Sequence, residues 1–169
     1  MASNRSRRDV LQIAATATAA LLFVPVAEAA GKPCAVTRVL FVCPLGVVKS
    51  AIAREQLRRI AKARGLSVQV QSRGVAPPEI PANDISPRLA AHLRDENIDP
   101  FADPLRRFSK TDPAQADITI AFDEAARAPG LEQARAWKSP SWNDQYPEAK
   151  AAMDKNIAAL ADELAARPC

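Results

Sequence analysis

The stretch Val39-Leu40-Phe41-Val42-Cys43-Pro44-Leu45-Gly46-Val47-Val48-Lys49-Ser50, continued by Ala51-Ile52-Ala53-Arg54-Glu55, decides the fold. Its first four residues are β-branched, aromatic or aliphatic without a polar break. That predicts a strand buried on both faces, as in a parallel sheet. Cys43 ends the strand, and a short loop with one glycine, Gly46, follows. Ser50 stands where an N-cap is expected, ahead of a helix predicted over 51–64. A strand, a loop and a helix N-terminus together form a geometry that holds an anion, through free backbone N–H groups and the positive end of the helix dipole. A cysteine at that point sits in a field that favours its thiolate form. Lys49 adds a cation, and Ser50 a hydroxyl able to donate to the sulfur. Two roles stay open for Cys43 on these residues alone: a nucleophile beneath an oxyanion cradle, or a packed thiol at the end of a buried strand.

On the N-terminal side, residues 1–29 read as an export signal and not as part of the fold. Ser6-Arg7-Arg8-Asp9-Val10-Leu11 resembles a twin-arginine motif, with Val10 in place of its phenylalanine. A moderately apolar run extends over 13–26, too short and alanine-rich to span a bilayer. Ala27-Glu28-Ala29 offers small residues at the cleavage positions, leaving Ala30 as the new N-terminus. The expectation is a periplasmic protein delivered already folded by its export machinery, with a single domain over 30–169.

On the C-terminal side, the first helix ends at Gly65, a left-handed C-cap candidate. Its Arg54, Arg58, Arg59 and Lys62 are assigned to a solvated face. Residues 67–72, Ser-Val-Gln-Val-Gln-Ser, alternate with period two and predict an edge strand. A proline-rich loop covers 75–85. Ser86-Pro87 opens a second helix as N-cap and first helical residue, burying Leu89, Leu93 and Ala90. His92, the one histidine, is expected to be exposed there, with no partner for a metal. A short helix is expected within 106–113. Residues 118–122, Ile-Thr-Ile-Ala-Phe, form a third buried strand, and 134–137 a short fourth. A helix over 147–166 carries Met153, Ile157, Leu160 and Leu164 as its inner stripe. This order predicts a three-layer αβα sandwich around a mostly parallel four-stranded sheet.

The 169 residues are 48% hydrophobic and 25% charged, with a formal net charge of +4, a balance that suits one globular domain. The positive residues are dispersed and aromatics are few, which argues against a nucleic-acid partner.

The cysteine loop resembles the Cys-x-x-x-x-x-Arg-Ser loop of low-molecular-weight protein tyrosine phosphatases and the related arsenate reductases. Two further matches are Ser72-Arg73-Gly74-Val75 for the family's Ser-Ala-Gly-Thr, and Ala116-Asp117-Ile118 before the third strand. Lys49 stands where the family has arginine. Gly46 lies one place later than the family glycine, and no asparagine follows it. The resemblance implies Cys43 as nucleophile. It implies Pro44, Leu45, Gly46, Val47, Val48, Lys49 and Ser50 as the phosphate cradle. It also implies an aspartate general acid before the last helix, usually within Asp-Pro. Asp144 matches by position, next to Asn143 and without the adjoining proline. No cofactor or metal is implied, and the ligand is a phosphorylated protein, a small aryl phosphate or an inorganic oxyanion. A guanidinium grips two phosphoryl oxygens where an ammonium is a point charge. A non-catalytic oxyanion-binding homologue is therefore the alternative to a phosphomonoesterase. A thiol enzyme of arsenate-reductase type fits less well, since the helix after Pro87 has no cysteine.

The remaining thiols are Cys34, before the first strand, and Cys169, after the last helix. The cysteine loop lies at the carboxyl ends of the strands. The last helix starts near that end, and its roughly 20 residues at ~1.5 Å each carry Cys169 back to the edge where Cys34 begins the first strand. Cys43 lies about 30 Å from Cys34 up the strand, beyond disulfide reach. In an oxidising compartment a Cys34–Cys169 disulfide is expected, leaving Cys43 free.

Overall fold

A computed structural model of the protein describes residues 35–167. The expected export signal at 1–29 and both thiols of the expected disulfide, Cys34 and Cys169, lie outside the described residues.

Four parallel strands form one sheet: β1 (Thr37–Cys43), β2 (Val68–Gly74), β3 (Ile118–Phe122) and β4 (Arg135–Trp137), in the spatial order β2-β1-β3-β4. The helices are α1 (Lys49–Arg64), α2 (Pro87–Asp95) and α3 (Tyr146–Ala165). β1 is central and fully enclosed: Val39, Phe41 and Cys43 face the core shared with α1, α2 and α3. Leu40 and Val42 face a smaller core with Ala121, Ala125 and Leu131. An uninterrupted apolar strand is the consequence of having both faces covered. The second face is covered by short 3₁₀ turns and loops, not by long helices: one turn spans Pro113–Gln115 and another Asp123–Arg127. The predicted α/β architecture with a parallel four-stranded sheet is therefore the one observed, with β2 at the edge. In place of the short helix expected within 106–113, residues 106–112 are irregular chain with an isolated bridge between Arg107 and Gly74, and the 3₁₀ turn starts only at Pro113.

Several local expectations change. Ser50 is not the N-cap of α1; the helix begins at Lys49, two residues earlier than expected, Val48 takes the N-cap position, and no side chain caps it. Gly65 does close the helix in the left-handed region, at φ 66°. Ser86 caps α2, its Oγ accepting from Leu89 N at 3.1 Å. His92 is half-buried, not exposed, because its ring stacks on Tyr146 with centroids 4.0 Å apart. The Tyr146 hydroxyl donates to Glu96, and burial together with that bond holds the phenol well above its usual range.

Arg54 is the larger correction. It is 2% exposed and not on a solvated face. It shares the inner stripe of α1 with Ser50, Leu57 and Ala61, three and four residues apart. Its donors are taken by Glu55 Oε1 at 2.6 Å, Ser72 Oγ at 2.9 Å and the Pro100 carbonyl at 3.2 Å. Arg58 forks onto Asp103 at 3.0 and 2.7 Å and holds that carboxyl below its usual range. These two arginines fasten the chain after Pro100 to α1 and β2. Within that chain, the Arg106 carbonyl accepts from Gly74 N at 3.0 Å. Among the described residues no helix is long and apolar enough to cross a membrane.

Candidate active site

Strand order reverses direction about β1: β2 lies on one side and β3 on the other. The carboxyl end of such a strand is where open α/β sheets bind ligands. Cys43 is the last residue of β1, and the loop 44–48 leads straight into α1. The cysteine is 3% exposed, and its Sγ receives Gly46 N at 3.1 Å and lies 3.1 Å from Ser50 Oγ. The Ser50 hydroxyl also faces the Arg73 carbonyl at 3.3 Å. With a single proton, it serves either the sulfur or that carbonyl at any moment.

The loop's path is set by two glycines. Gly46 adopts φ +80°, a left-handed conformation that turns its N–H onto the sulfur. Gly74, at the end of β2, is paired in register with Cys43. A Cβ on Gly74 would lie 2.4 Å from the Leu45 carbonyl oxygen, and one on Gly46 would lie 2.7 Å from Gly74 N. The loop thus packs backbone to backbone on β2. Two further bonds hold it there, Val75 N to the Cys43 carbonyl at 3.1 Å and Ala76 N to the Pro44 carbonyl at 2.8 Å.

A cleft of about 330 Å³ opens over this loop. Cys43, Pro44, Leu45, Val47, Val48 and Lys49 line one wall, and Asp84, Ser141, Trp142 and Asn143 the other. Gly46 and Ser50 are not among the lining residues; Gly46 N and Ser50 Oγ both contact the Cys43 sulfur. The first turn of α1 carries no acidic residue and no side-chain cap, so its N–H groups and dipole favour an anion in the cleft.

Lys49 is at the rim but is not a free cation. Its ammonium forms an ion pair with Asp123, directly after β3, and donates to the Ser139 carbonyl at 2.9 Å. The other Asp123 oxygen accepts from Ser139 N at 3.1 Å. Asp123 is itself held at φ 52°, an uncommon conformation for a side-chain-bearing residue. Sequence reasoning missed this partner, although its place at the carboxyl end of a core strand was a usable signal.

Asp144 lies away from the cleft lining. It is exposed, and its carboxylate accepts from Ser141 Oγ at 2.6 Å. The one proline inside the loop between β4 and α3 is Pro140, and Ser139 precedes it. Asn143 lines the cleft and ties its own loop to the segment 84–86: Nδ2 donates to the Asp84 carbonyl at 3.0 Å, and Oδ1 accepts from Ser86 N at 2.9 Å. Asp84 was not singled out from sequence; it sits in a 3₁₀ turn, Pro81–Asp84, within a proline-rich loop that carries no motif. Among the described residues no group of three or more His, Cys, Asp or Glu side chains converges as a metal site.

A buried thiol at the end of the central strand, beneath an uncapped helix N-terminus, defines a cysteine-loop protein of the parallel α/β class. The chain belongs to the low molecular weight phosphotyrosine protein phosphatase family, which it matches over residues 38–140. Its structure is similar to the low molecular weight phosphotyrosine phosphatase of Vibrio cholerae O395, at 18% identity and a TM-score of 0.64, covering 79% of this chain and 99% of that one. It is similar to a mutant of the arginine phosphatase YwlE with a phosphorylated active-site serine, at 18% identity and a TM-score of 0.60, covering 77% and 97%. It is also similar to an arsenate reductase in the phosphate binding state, at 15% identity and a TM-score of 0.57, covering 76% and 98%. At these identities the likeness establishes the fold. No curated protein matches the chain.

Proposed function

We propose that the protein is an exported phosphomonoesterase that hydrolyses phosphotyrosine or small aryl phosphates through a cysteinyl-phosphate intermediate. The observation that carries this is the placement of Cys43 Sγ under the loop, fixed by Gly46 N and Ser50 Oγ. In this reading the sulfur attacks phosphorus while the backbone N–H groups of the loop and the first turn of α1 hold the phosphoryl oxygens. The related YwlE mutant supports a covalent step, because the side chain at its active-site position carries phosphate. The test is hydrolysis of an aryl phosphate by the purified protein, with inorganic phosphate as competitor. Phosphate should also protect Cys43 from alkylation.

A second reading, an oxyanion-binding homologue without turnover, is favoured by one observation: the Lys49 ammonium is neutralised by Asp123. The two readings make different predictions for Lys49→Arg. If the cradle works, a bidentate guanidinium should raise the hydrolysis rate by about tenfold or more, since one preorganised donor is worth about 10²-fold. Asp123→Asn, which keeps an acceptor for Ser139 N while releasing the ammonium, should act in the same direction. An unchanged or lower rate in both variants, with the fold intact, supports the non-catalytic reading.

Export is the other part of the proposal. It rests on the twin-arginine-type motif at Arg7-Arg8 and the cleavage site after Ala29. Residues Ala35 and Arg167, the first and last of the described residues, line one cleft at the amino end of β1. This supports a Cys34–Cys169 disulfide formed after export. Protein recovered from the periplasm should begin at Ala30 and yield one linked peptide pair containing Cys34 and Cys169. Cytoplasmic retention, or a linked pair containing Cys43, overturns this part.

A further inference from the structure

We infer that Asp84 is the acid–base catalyst of this site, a role that no resemblance assigns to its loop. The inference rests on the phosphomonoesterase reading above and names the residue that serves the leaving group.

A general acid must reach the leaving oxygen from the wall opposite the nucleophile, and its carboxyl must be free to give up a proton. Four aspartates lie close enough in the fold to be weighed. Asp144 is exposed, bonded to Ser141, and off the cleft lining. Asp123 is committed to Lys49 and to Ser139 N. Asp103 is engaged by Arg58 on the far side of β2. Asp84 lines the cleft with Cys43 and is the one acidic residue among those that do. Its carboxylate forms no hydrogen bond or ion pair with any described residue.

The backbone around Asp84 is held in place, and only its side chain is unengaged. Its carbonyl accepts from Asn143 Nδ2 at 3.0 Å, and Asn143 Oδ1 accepts from Ser86 N at 2.9 Å. Ser86 in turn caps α2. The 3₁₀ turn closes through Asn83 N to the Ile80 carbonyl at 3.1 Å and Ile85 N to the Ala82 carbonyl at 3.2 Å. A carboxyl on a fixed backbone, on a residue that lines the same cleft as Cys43, meets the positional demand that acid catalysis makes.

The chemistry balances with this assignment. The Cys43 thiolate forms the S–P bond as the P–O bond to the aryl group breaks. The protonated Asp84 carboxyl delivers its proton to the departing oxygen, releasing a phenol and leaving a carboxylate. That carboxylate then takes a proton from the water that attacks phosphorus. The new P–O bond forms, the S–P bond breaks, and inorganic phosphate and the Cys43 thiolate are regenerated.

The experiment compares the full-length protein, Asp84→Asn, Asp84→Glu and Asp144→Asn on a series of aryl phosphates. Dinitrophenyl phosphate needs no proton on its leaving group, whereas phenyl phosphate does. Asp84→Asn should lose about 10²–10⁴-fold in kcat on phenyl phosphate and far less on the dinitrophenyl ester. Asp84→Glu should recover part of that loss. If Asp84→Asn keeps the parent's dependence on the leaving group, or if Asp144→Asn is the variant that steepens it, the assignment to Asp84 is overturned and the phosphatase reading stands. If the parent fails to turn over even the dinitrophenyl ester, the phosphatase reading falls and the assignment falls with it.

Discussion

Cys43→Ser is expected to bring aryl-phosphate hydrolysis down by about 10⁴-fold or more, because removing the nucleophile of a catalytic unit costs up to about 10⁶-fold. A serine hydroxyl is a weak nucleophile unless an adjacent base takes its proton. Among the described residues no base is hydrogen-bonded to Cys43: its sulfur contacts the Gly46 N–H and the Ser50 hydroxyl. Both can bond a serine oxygen as they bond the sulfur, so the variant should fold as the parent does. Thermal unfolding by circular dichroism checks that point, and a phosphate-release assay checks the activity. The variant should also keep its affinity for inorganic phosphate, since the loop N–H groups are untouched. Undiminished turnover in the serine variant would return Cys43 to the role of a packed core thiol.

Gly74→Ala should be the most damaging substitution outside the cysteine. The new methyl would meet the Leu45 carbonyl oxygen at 2.4 Å and its carbonyl carbon at 2.6 Å, both backbone atoms that cannot swing aside like a side-chain tip. Retreat is also blocked on the other flank, where Gly74 N and the Gly74 carbonyl are bonded to the Arg106 carbonyl at 3.0 Å and to Phe108 N at 2.8 Å. Forced overpacking of this kind costs about 1–3 kcal/mol. The strain has one place to go, the loop over Cys43, and a shift of about 1 Å there can cost ~10²-fold in rate. The expected result is therefore a lowered melting temperature together with a loss of phosphate binding. A Gly74→Ala protein with parent-like stability and phosphate affinity would show that the loop rests on β2 more loosely than these distances require.

The sequence alone decided the scaffold and the place of the buried thiol at the end of its central strand. Val39 to Val42 could only be a doubly covered strand, because four consecutive apolar side chains alternate between two faces and each face must then meet a core. The end of that strand, the turn at Gly46 and the start of a helix follow locally, so Cys43 was legible with them. The caps at Gly65 and Ser86 were legible for the same reason: their partners lie within a few residues. Arg54 was misassigned although its helical spacing placed it beside Leu57. Its charge suggested solvent, and the acceptors that permit its burial, Ser72 and the Pro100 carbonyl, come from segments 18 and 46 residues away.

What the tertiary structure decided was the polar lining of the cleft. Lys49 and Asp123 are 74 residues apart, and Asn143 reaches Asp84 across 59. No local pattern encodes such pairs; the parallel sheet creates them by bringing the carboxyl ends of β1, β3 and β4 to one edge of the domain. The same packing seats the Asp84 loop against Asn143 while leaving Asp144 turned toward Ser141 and solvent. Residue type and spacing located the thiol, because the groups that contact its sulfur, Gly46 N and Ser50 Oγ, lie three and seven residues along the chain. They could not assign the carboxylates, because a carboxylate's role depends on which distant donors claim it and which leave it free.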